Sequence, residues 1–177
     1  MENNIDLDSM LDSSSPVYLY KYPMFMVTVS VVMIVENGAI MTYEEPLFDD
    51  KKIAYDCVRF PGGVVKAGHE TIQFSAIRQV KDQTGITLKI GDLMPVDFRS
   101  DPERSHSKNV VDIGMVCMPN LSPDFDFKKG SKLIPLDFEK KTFGGQYALN
   151  HKFYMDHKLL LERAIDIALL INNENIA

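Results

Sequence analysis

A glycine-containing loop that leads into a helix is the feature of the sequence that most constrains the fold. Residues 60–86 read FPGGVVKAGHETIQFSAIRQVKDQTGI. We expect Gly62 and Gly63 to allow positive φ and a close approach of the backbone to a ligand. Glu70 and Thr71 are favoured at a helix start, and Gly85 is favoured at a helix end. The stretch therefore predicts the end of a strand, a glycine loop and a helix.

The predicted helix has two different faces. Apolar residues recur at helical spacing and predict a face turned to the core: Ile72, Ala76, Ile77 and Val80. The opposite face carries polar residues, two of them glutamines one turn apart: Ser75, Gln79, Asp82 and Gln83. A solvated helix surface and a functional surface are both open interpretations of this polar face.

Length and composition predict one globular domain. The chain has 177 residues, of which 45% are hydrophobic and 25% charged, and its formal net charge is −6. We predict a flexible arm over residues 1–15 and a single domain over residues 16–177. The acidic balance argues against a broad nucleic-acid or anionic-membrane surface. No signal peptide is recognisable, and Cys57 and Cys117 fit buried free thiols, so a reducing cytoplasm is predicted.

Periodicity predicts a strand-rich chain that closes with a helix. Runs of β-branched and apolar residues predict six strands, at 25–35, 39–43, 57–60, 87–90, 93–98 and 110–118. Helical spacing over residues 154–172 predicts an amphipathic C-terminal helix. The segments 44–56, 99–109 and 124–141 are predicted to be irregular.

The loop and helix resemble a Nudix box, the signature of enzymes that hydrolyse nucleoside diphosphates linked to another moiety. The family pattern is G-x5-E-x7-R-E-U-x-E-E-x-G-U, where U is aliphatic. The matching residues are Gly63, Glu70, Arg78, Val80, Gly85 and Ile86. Asp82 conservatively replaces one glutamate. One additional residue separates Gly63 from Glu70, so His69 takes the position that the strict count gives to glutamate.

The resemblance implies a weakened metal site. Gln79 and Gln83 stand where the family has two glutamates that bind Mg²⁺. Mg²⁺ is held through carboxylate oxygens, and glutamine offers only a neutral carbonyl oxygen. Losing two charges beside the ion costs on the order of several kcal/mol at an effective dielectric of about 20. Glu70 and Arg78 are implied to form a structural ion pair, and Glu70 with Asp82 could hold one weakly bound ion.

Two downstream segments resemble the ADP-ribose pyrophosphatase-like branch of the family. Residues 101–104, DPER, with strand 110–116 resemble its D-P-x-R-D-P-R-G loop and strand, and residues 155–158 resemble its F-D-H segment. Residues 105–108, SHSK, depart from the branch pattern. Regulators of NAD metabolism share this domain and add a winged helix, which we expect this chain to lack. The resemblance covers roughly residues 20–172.

Further residues are candidates for ligand contact. Arg99 and Arg104, with Gly62 and Gly63, are candidates for phosphate binding, although surface charges are an equal interpretation for the two arginines. Three histidines could act as a base or ligand, but loop, helix-start and structural roles are favoured for them: His106, His69 and His157, in that order. Three aromatic residues could stack on a base, but core packing is favoured: Phe98, Tyr147 and Phe153.

The resemblance and the residues together predict a Nudix α/β/α sandwich, with a mixed sheet between the box helix and the C-terminal helix. The predicted function is binding of a nucleoside-diphosphate-linked metabolite such as ADP-ribose, with hydrolysis weak or lost and with a cofactor, Mg²⁺ or Mn²⁺, only if the protein is active. One alternative is an active hydrolase that uses Mg²⁺ or Mn²⁺ with Glu70, Asp82 and outside carboxylates such as Glu103 or Asp112. Another is a non-catalytic interaction scaffold. The family also implies a homodimer.

Overall fold

The computed structural model describes residues 25–36, 38–43, 47–48, 54–55, 57–66, 68–100, 109–122, 124–144, 152–153 and 157–174. The strands are β1 (Phe25–Val35), β2 (Gly38–Tyr43), β3 (Leu47–Phe48), β4 (Ala54–Tyr55), β5 (Cys57–Arg59), β6 (Gly62–Val64), β7 (Met94–Arg99), β8 (Asn109–Cys117), β9 (Ser131–Asp137), β10 (Thr142–Phe143) and β11 (Lys152–Phe153). The helices are α1 (Ile72–Thr84), a 3₁₀ turn (Ile90–Asp92) and α2 (His157–Glu174). Neither α1 nor α2 combines the length and the apolar character needed to cross a membrane.

Strand β1 is the centre of a mixed sheet. It runs parallel to β8, with Phe25 opposite Asn109 and Met33 opposite Cys117. It runs antiparallel to β2 at its carboxyl end and to β6 in its first half. The main path of the sheet is β10-β9-β2-β1-β8-β7, and β5 joins it through β2. A β-branched, nearly continuous apolar sequence suits a strand that is covered on both faces.

The two faces of the sheet support two separate apolar layers. Val29, Val31 and Met33 of β1 pack with Ala76 and Val80 of α1. The alternate residues of β1 face the other way and pack with α2; Val32 and Ile34 join a cluster that contains Leu160, Leu161, Ala164 and Ile165. This alternation follows from the two-residue period of a strand. The arrangement is an α/β/α sandwich, so the predicted fold class is confirmed.

Helix α1 begins and ends where the sequence predicts. The Thr71 side chain accepts a hydrogen bond from the backbone N–H of Phe74, and Gly85 ends the helix in the left-handed region at φ 86°. Ala76 and Val80 are fully buried, as predicted. Ser75, which is predicted on the polar face, is also fully buried. Its hydroxyl accepts a hydrogen bond from Arg78 at 3.3 Å, so this part of the polar face is not open to solvent.

Three predictions about strands are wrong. Residues 131–137 were predicted to be irregular, yet they form β9 and pair with β2. Residues 87–90 were predicted to be a strand, yet they lie outside every described strand, and Ile90 begins the 3₁₀ turn. The segment 44–56 contains the short antiparallel pair of β3 and β4. The arm predicted over residues 1–15 lies outside the described residues.

Candidate functional site

Gly62 is held against the central strand of the sheet. A Cβ atom added at this position would lie 2.2 Å from the backbone oxygen of Val29 and 3.0 Å from the Cα of Ser30. The prediction of positive φ is wrong for Gly62, and Gly63, with φ 159°, is close to extended. Glycine is required at position 62 because the loop backbone contacts β1. This requirement does not depend on a ligand.

The side chains of Gln79 and Gln83 hold this loop on α1. Gln83 Oε1 accepts a hydrogen bond from the backbone N–H of Gly62 at 3.2 Å. Gln83 Nε2 donates to the backbone oxygen of Gly62 at 2.6 Å and to Gln79 Oε1 at 2.9 Å. A backbone N–H can only donate, so the Gln83 oxygen must face the Gly62 N–H and the Gln83 nitrogen must face the Gly62 carbonyl oxygen. We call Gly62, Gln79 and Gln83 the glutamine clasp.

The remaining carboxylate next to the loop is committed to an arginine. Arg78 binds Glu70 through two hydrogen bonds, from Nε at 2.8 Å and from one terminal nitrogen at 2.6 Å. The backbone N–H of Lys66 also donates to Glu70, at 2.9 Å. These bonds, that of Arg78 above all, lower the pKa of Glu70 to about 2. The same contact raises the pKa of Arg78.

The described residues do not fit a magnesium site of the kind that the box implies. No group of three or more His, Cys, Asp or Glu side chains within them could hold a metal ion. Glu70 is bound to Arg78, and Gln79 and Gln83 present neutral amides that already bond to each other. Asp82, the carboxylate on the polar face of α1, is exposed to solvent. No hydrogen bond of its side chain is described. A hard divalent cation needs several oxygen ligands, including ionised ones.

A second polar cluster lies on the other face of the sheet, under the start of α2. The Asp112 carboxylate accepts hydrogen bonds from Thr28 at 2.6 Å, from Ser30 at 3.1 Å and from Arg99 at 2.6 Å. Asp112 is fully buried and Arg99 is 8% exposed. We call Thr28, Ser30, Arg99 and Asp112 the interior polar cluster. Its geometry turns Arg99 and Asp112 toward each other, away from solvent and from the clasp.

His157 connects this cluster to the strand before the glycine loop. The backbone N–H of Phe60 donates to His157 Nδ1 at 3.0 Å, and Ser30 Oγ lies 3.5 Å from Nε2. Because Nδ1 accepts, the proton of the neutral ring is on Nε2, facing Ser30. The His157 and Phe60 rings stack with centroids 5.4 Å apart. The structural hydrogen bond predicted for His157 is confirmed.

Sequence reasoning missed the roles of Thr28 and Ser30. A signal was available, because two hydroxyl residues stand two positions apart in an otherwise apolar strand. That period places both on one face of the sheet, where a buried hydroxyl needs a hydrogen-bond partner. The partner, Asp112, belongs to a strand more than eighty residues later in the chain.

The remaining candidates lie in different places. Core packing was favoured for Phe98, and this is wrong, because Phe98 is 69% exposed. His69 is exposed in the turn before α1, where its N–H donates to the backbone oxygen of Lys66. Phe153 is described only by its backbone, in β11. Four candidates lie outside the described residues: Glu103, Arg104, His106 and Tyr147.

Phe98 belongs to the same row of the sheet as the glycine loop. Register pairs Phe98 with Ile113, Ile113 with Val29, and Val29 with Gly63. Arg99, its neighbour, bonds to Asp112 on the α2 side of the sheet, so Phe98 faces the α1 side. Adjacent strands are about 4.8 Å apart, which puts Phe98 roughly 14 Å from the loop across three strand spacings. The row has an exposed aromatic ring at one end and, at the other, Gly63, which lies beside the Gln79 side chain.

A cavity of about 440 Å³ lies beyond the carboxyl end of β8, next to the start of β7 and the segment that follows α1. Its lining is mixed, with Met94, Met118 and Phe125 among the apolar residues and Asp92 and Asn120 among the polar ones. None of the clasp residues and none of the interior polar cluster lines it. This cavity is therefore separate from the glycine loop.

The sequence matches no model of a known protein family and no curated protein. Solved structures do match its fold. A MutT/nudix family protein from Enterococcus faecalis aligns with a TM-score of 0.64 and 17% identity, over 94% of this chain and 71% of that chain. The NUDIX domain of Shewanella oneidensis NrtR, solved with ADP ribose, aligns with a TM-score of 0.63 and 13% identity, over 83% of this chain and 90% of that one.

A third structure comes from a larger protein. A bifunctional NMN adenylyltransferase/ADP ribose pyrophosphatase from Francisella tularensis, solved with AMP and a manganese ion, aligns with a TM-score of 0.58 and 20% identity. The alignment covers 87% of this chain and 43% of that chain. At such identities the likeness concerns the backbone arrangement rather than the chemistry. With the sandwich architecture and the loop-helix geometry described above, it establishes that this chain has the Nudix fold.

Proposed function

We propose that this protein binds a nucleoside-diphosphate-linked metabolite of the ADP-ribose type and that it does so without a divalent cation. The observation that carries the proposal is the glutamine clasp, in which neutral amides stand at the two positions of the box that the resemblance assigns to metal-binding glutamates. A ligand of this class is suggested by the Shewanella oneidensis NUDIX domain, whose structure contains ADP ribose.

The row of the sheet between Phe98 and Gly63 supports this class of ligand. The exposed ring of Phe98 offers an apolar face on which a purine base can stack. The other end of the row presents the glycine loop beside the exposed residue Lys66, a cation suited to phosphate oxygens. Arg104 remains a proposed second phosphate contact. A ligand with a base at one end and a diphosphate further along matches this order of groups.

Hydrolysis is expected to be weak or lost for a physical reason. Cleavage of a diphosphate requires an activated water and neutralisation of the charge that develops on the leaving phosphate. Glu70 is bound by Arg78 and has a pKa of about 2, so it is a poor acceptor of a proton from water. Gln79 and Gln83 do not accept protons in the pH range of proteins. Neither Glu70 nor the two glutamines of the box can therefore act as the general base.

A second candidate is a metal-dependent pyrophosphohydrolase. It is favoured by the exposed carboxylate of Asp82 on α1 and by the Francisella tularensis structure with AMP and manganese. This candidate requires a metal ligand from a residue such as Glu103. It predicts that AMP is released from ADP-ribose and that Asp82→Asn abolishes the release.

The deciding experiment combines thermal unfolding with product detection. Purified protein is mixed with ADP-ribose, NAD or AMP, in EDTA and separately with Mg²⁺ or Mn²⁺, and products are read by mass spectrometry. Ligand at 100 times its Kd stabilises a folded protein by about 2.7 kcal/mol, which is roughly 5–11 °C in Tm for a chain of this size. We expect ADP-ribose to raise Tm equally in EDTA and in Mg²⁺, with no product.

The Asp82→Asn variant is the matched control, because it removes the exposed carboxylate and leaves the clasp intact. We expect its ADP-ribose stabilisation to equal that of the parent. Metal-dependent release of AMP that disappears in Asp82→Asn would instead establish the hydrolase. A Tm unchanged by every nucleotide, with and without metal, would favour a protein-interaction scaffold.

A further inference from the structure

The nitrogen of the Gln83 amide lies between two oxygen atoms. It donates one hydrogen to the backbone oxygen of Gly62 at 2.6 Å and the other to Gln79 Oε1 at 2.9 Å. An amide NH₂ has two donors, so both are used. Oxygens of a loop backbone and of a helix side chain therefore converge on one positively polarised group.

A divalent cation would make the same oxygens converge. Backbone and amide carbonyls are ordinary oxygen ligands for such ions, and carboxylates complete the charge. Here the charge is missing, and the residues present do not fit a metal site, as described above. The NH₂ group supplies the attraction that the ion would supply, but it is attached to the protein and needs no ion from solution.

We propose that the Gln83 amide nitrogen is a built-in replacement for a divalent cation, and that it keeps the glycine loop in place on α1 in the absence of metal. The inference rests on the proposed function in one respect, since it explains how a metal-free protein keeps a loop that is ready for a diphosphate. It adds a specific consequence. A single change at position 83 turns the clasp into a site for a divalent cation.

The substitution Gln83→Glu tests this consequence. A glutamate cannot donate, so its oxygens face the Gly62 oxygen with no hydrogen between them, and they face Gln79 Oε1 in the same way unless the Gln79 amide turns over. Unpaired acceptors of this kind are costly. In EDTA we expect the Tm of Gln83→Glu to fall by roughly 5–10 °C. Mg²⁺ or Mn²⁺ should raise it again, in proportion to the logarithm of the metal concentration.

Three further proteins complete the experiment. Gln73 is exposed on the same helix, so Gln73→Glu makes the same change of charge away from the clasp, and its Tm should be independent of metal. Gln79→Glu keeps an acceptor for the Gln83 amide, so we expect it to retain its Tm in EDTA. Gln83→Ala should lose stability without rescue by metal. The parent protein should show no response to Mg²⁺ or Mn²⁺.

The outcomes separate the clasp from the proposed function. Equal Tm values for Gln83→Glu and the parent in EDTA would overturn the inference, and so would equal metal responses for Gln83→Glu and Gln73→Glu. If Gln83→Glu is recovered unfolded, refolding with and without Mn²⁺, followed by circular dichroism, gives the same test. Binding of ADP-ribose by the parent in EDTA is measured separately, and its failure would overturn the proposed function while leaving the unfolding result intact.

Discussion

Replacing Asp112 by asparagine tests whether the interior polar cluster is part of the core. Asparagine has the same shape but lacks the charge, so Arg99 loses the carboxylate that lies 2.6 Å from its guanidinium. Asp97 remains 3.6 Å from the Arg99 Nε. Arg99 is 8% exposed and Asp112 is fully buried, so water cannot readily replace the lost interaction.

The expected cost follows from this burial. Removing one partner of a buried ion pair costs about 3–5 kcal/mol, because the other charge stays buried. One kcal/mol corresponds to roughly 2–4 °C in Tm for a chain of 150–250 residues. The Asp112→Asn variant should therefore unfold about 6–20 °C below the parent. Since Asp97 partly compensates Arg99, we expect a value in the lower half of this range.

The assay is thermal unfolding followed by circular dichroism, with ADP-ribose binding measured on the same samples. The Arg99→Met and double variants complete a double-mutant cycle. Since both single changes leave a buried group unmatched, the double variant should be more stable than the sum of the single effects predicts, by about 0.5–3 kcal/mol. ADP-ribose affinity should be unchanged at a temperature where all variants are folded.

One result would refute this reasoning. If Asp112→Asn kept the parental Tm within the error of the measurement but lost ADP-ribose or metal binding, Asp112 would be a site residue. That result would favour the alternative of an active hydrolase that uses Asp112 as a carboxylate outside the box. Likewise, if Arg99→Met lost affinity for ADP-ribose without losing stability, Arg99 would be a site residue that binds phosphate.

Three more outcomes are expected elsewhere in the fold. Gly62→Ala should be strongly destabilised, since its Cβ would lie 2.2 Å from a backbone oxygen of β1, whereas Gly91→Ala meets nothing within 4 Å and should keep its Tm. Because the pKa of Glu70 falls from 4.5 to about 2 on folding, its contact with Arg78 stabilises the protein above pH 4.5 and is lost between pH 4.5 and 2; Glu70→Gln should flatten acid unfolding in this window. Burial raises the pKa of Cys117 to about 12, so its alkylation at pH 8 should require unfolding, as peptide mass spectrometry would show.

The sequence was most informative where structure depends on neighbours along the chain. Helix α1 begins at a capped residue and ends at a left-handed glycine. Of the predicted apolar positions, Ala76 and Val80 are fully buried, and Ile72 and Ile77 are partly buried against the same core. Strand β1 has the predicted limits, because a long β-branched run between turn residues strongly favours a strand over other structures. Both elements carry strong local signals, and the sandwich follows from them, since a sheet that is apolar on both faces must be covered on both.

Features set by distant residues were not predictable in this way. Strand β9 contains Pro135, which is unfavourable inside a sheet, and its pairing with β2 joins segments almost a hundred residues apart. Phe98 is apolar and lies in a strand, which favours burial, but its face of β7 is left uncovered. The clasp was foreseen only as two amides at helical spacing. Its bonds to Gly62 depend on how close the loop comes to α1.

The backbone before and within the glycine loop is held from both faces of the sheet. At Phe60 the N–H donates to His157 on the α2 side, and two residues later Gly62 exchanges hydrogen bonds with Gln83 on the α1 side. A backbone fixed at both points loses little further conformational freedom when a ligand binds, so less binding energy is lost to ordering it. A metal ion normally provides such order only when it is present. Amide and imidazole groups provide it permanently, as the proposed binding of a ligand without a divalent cation requires.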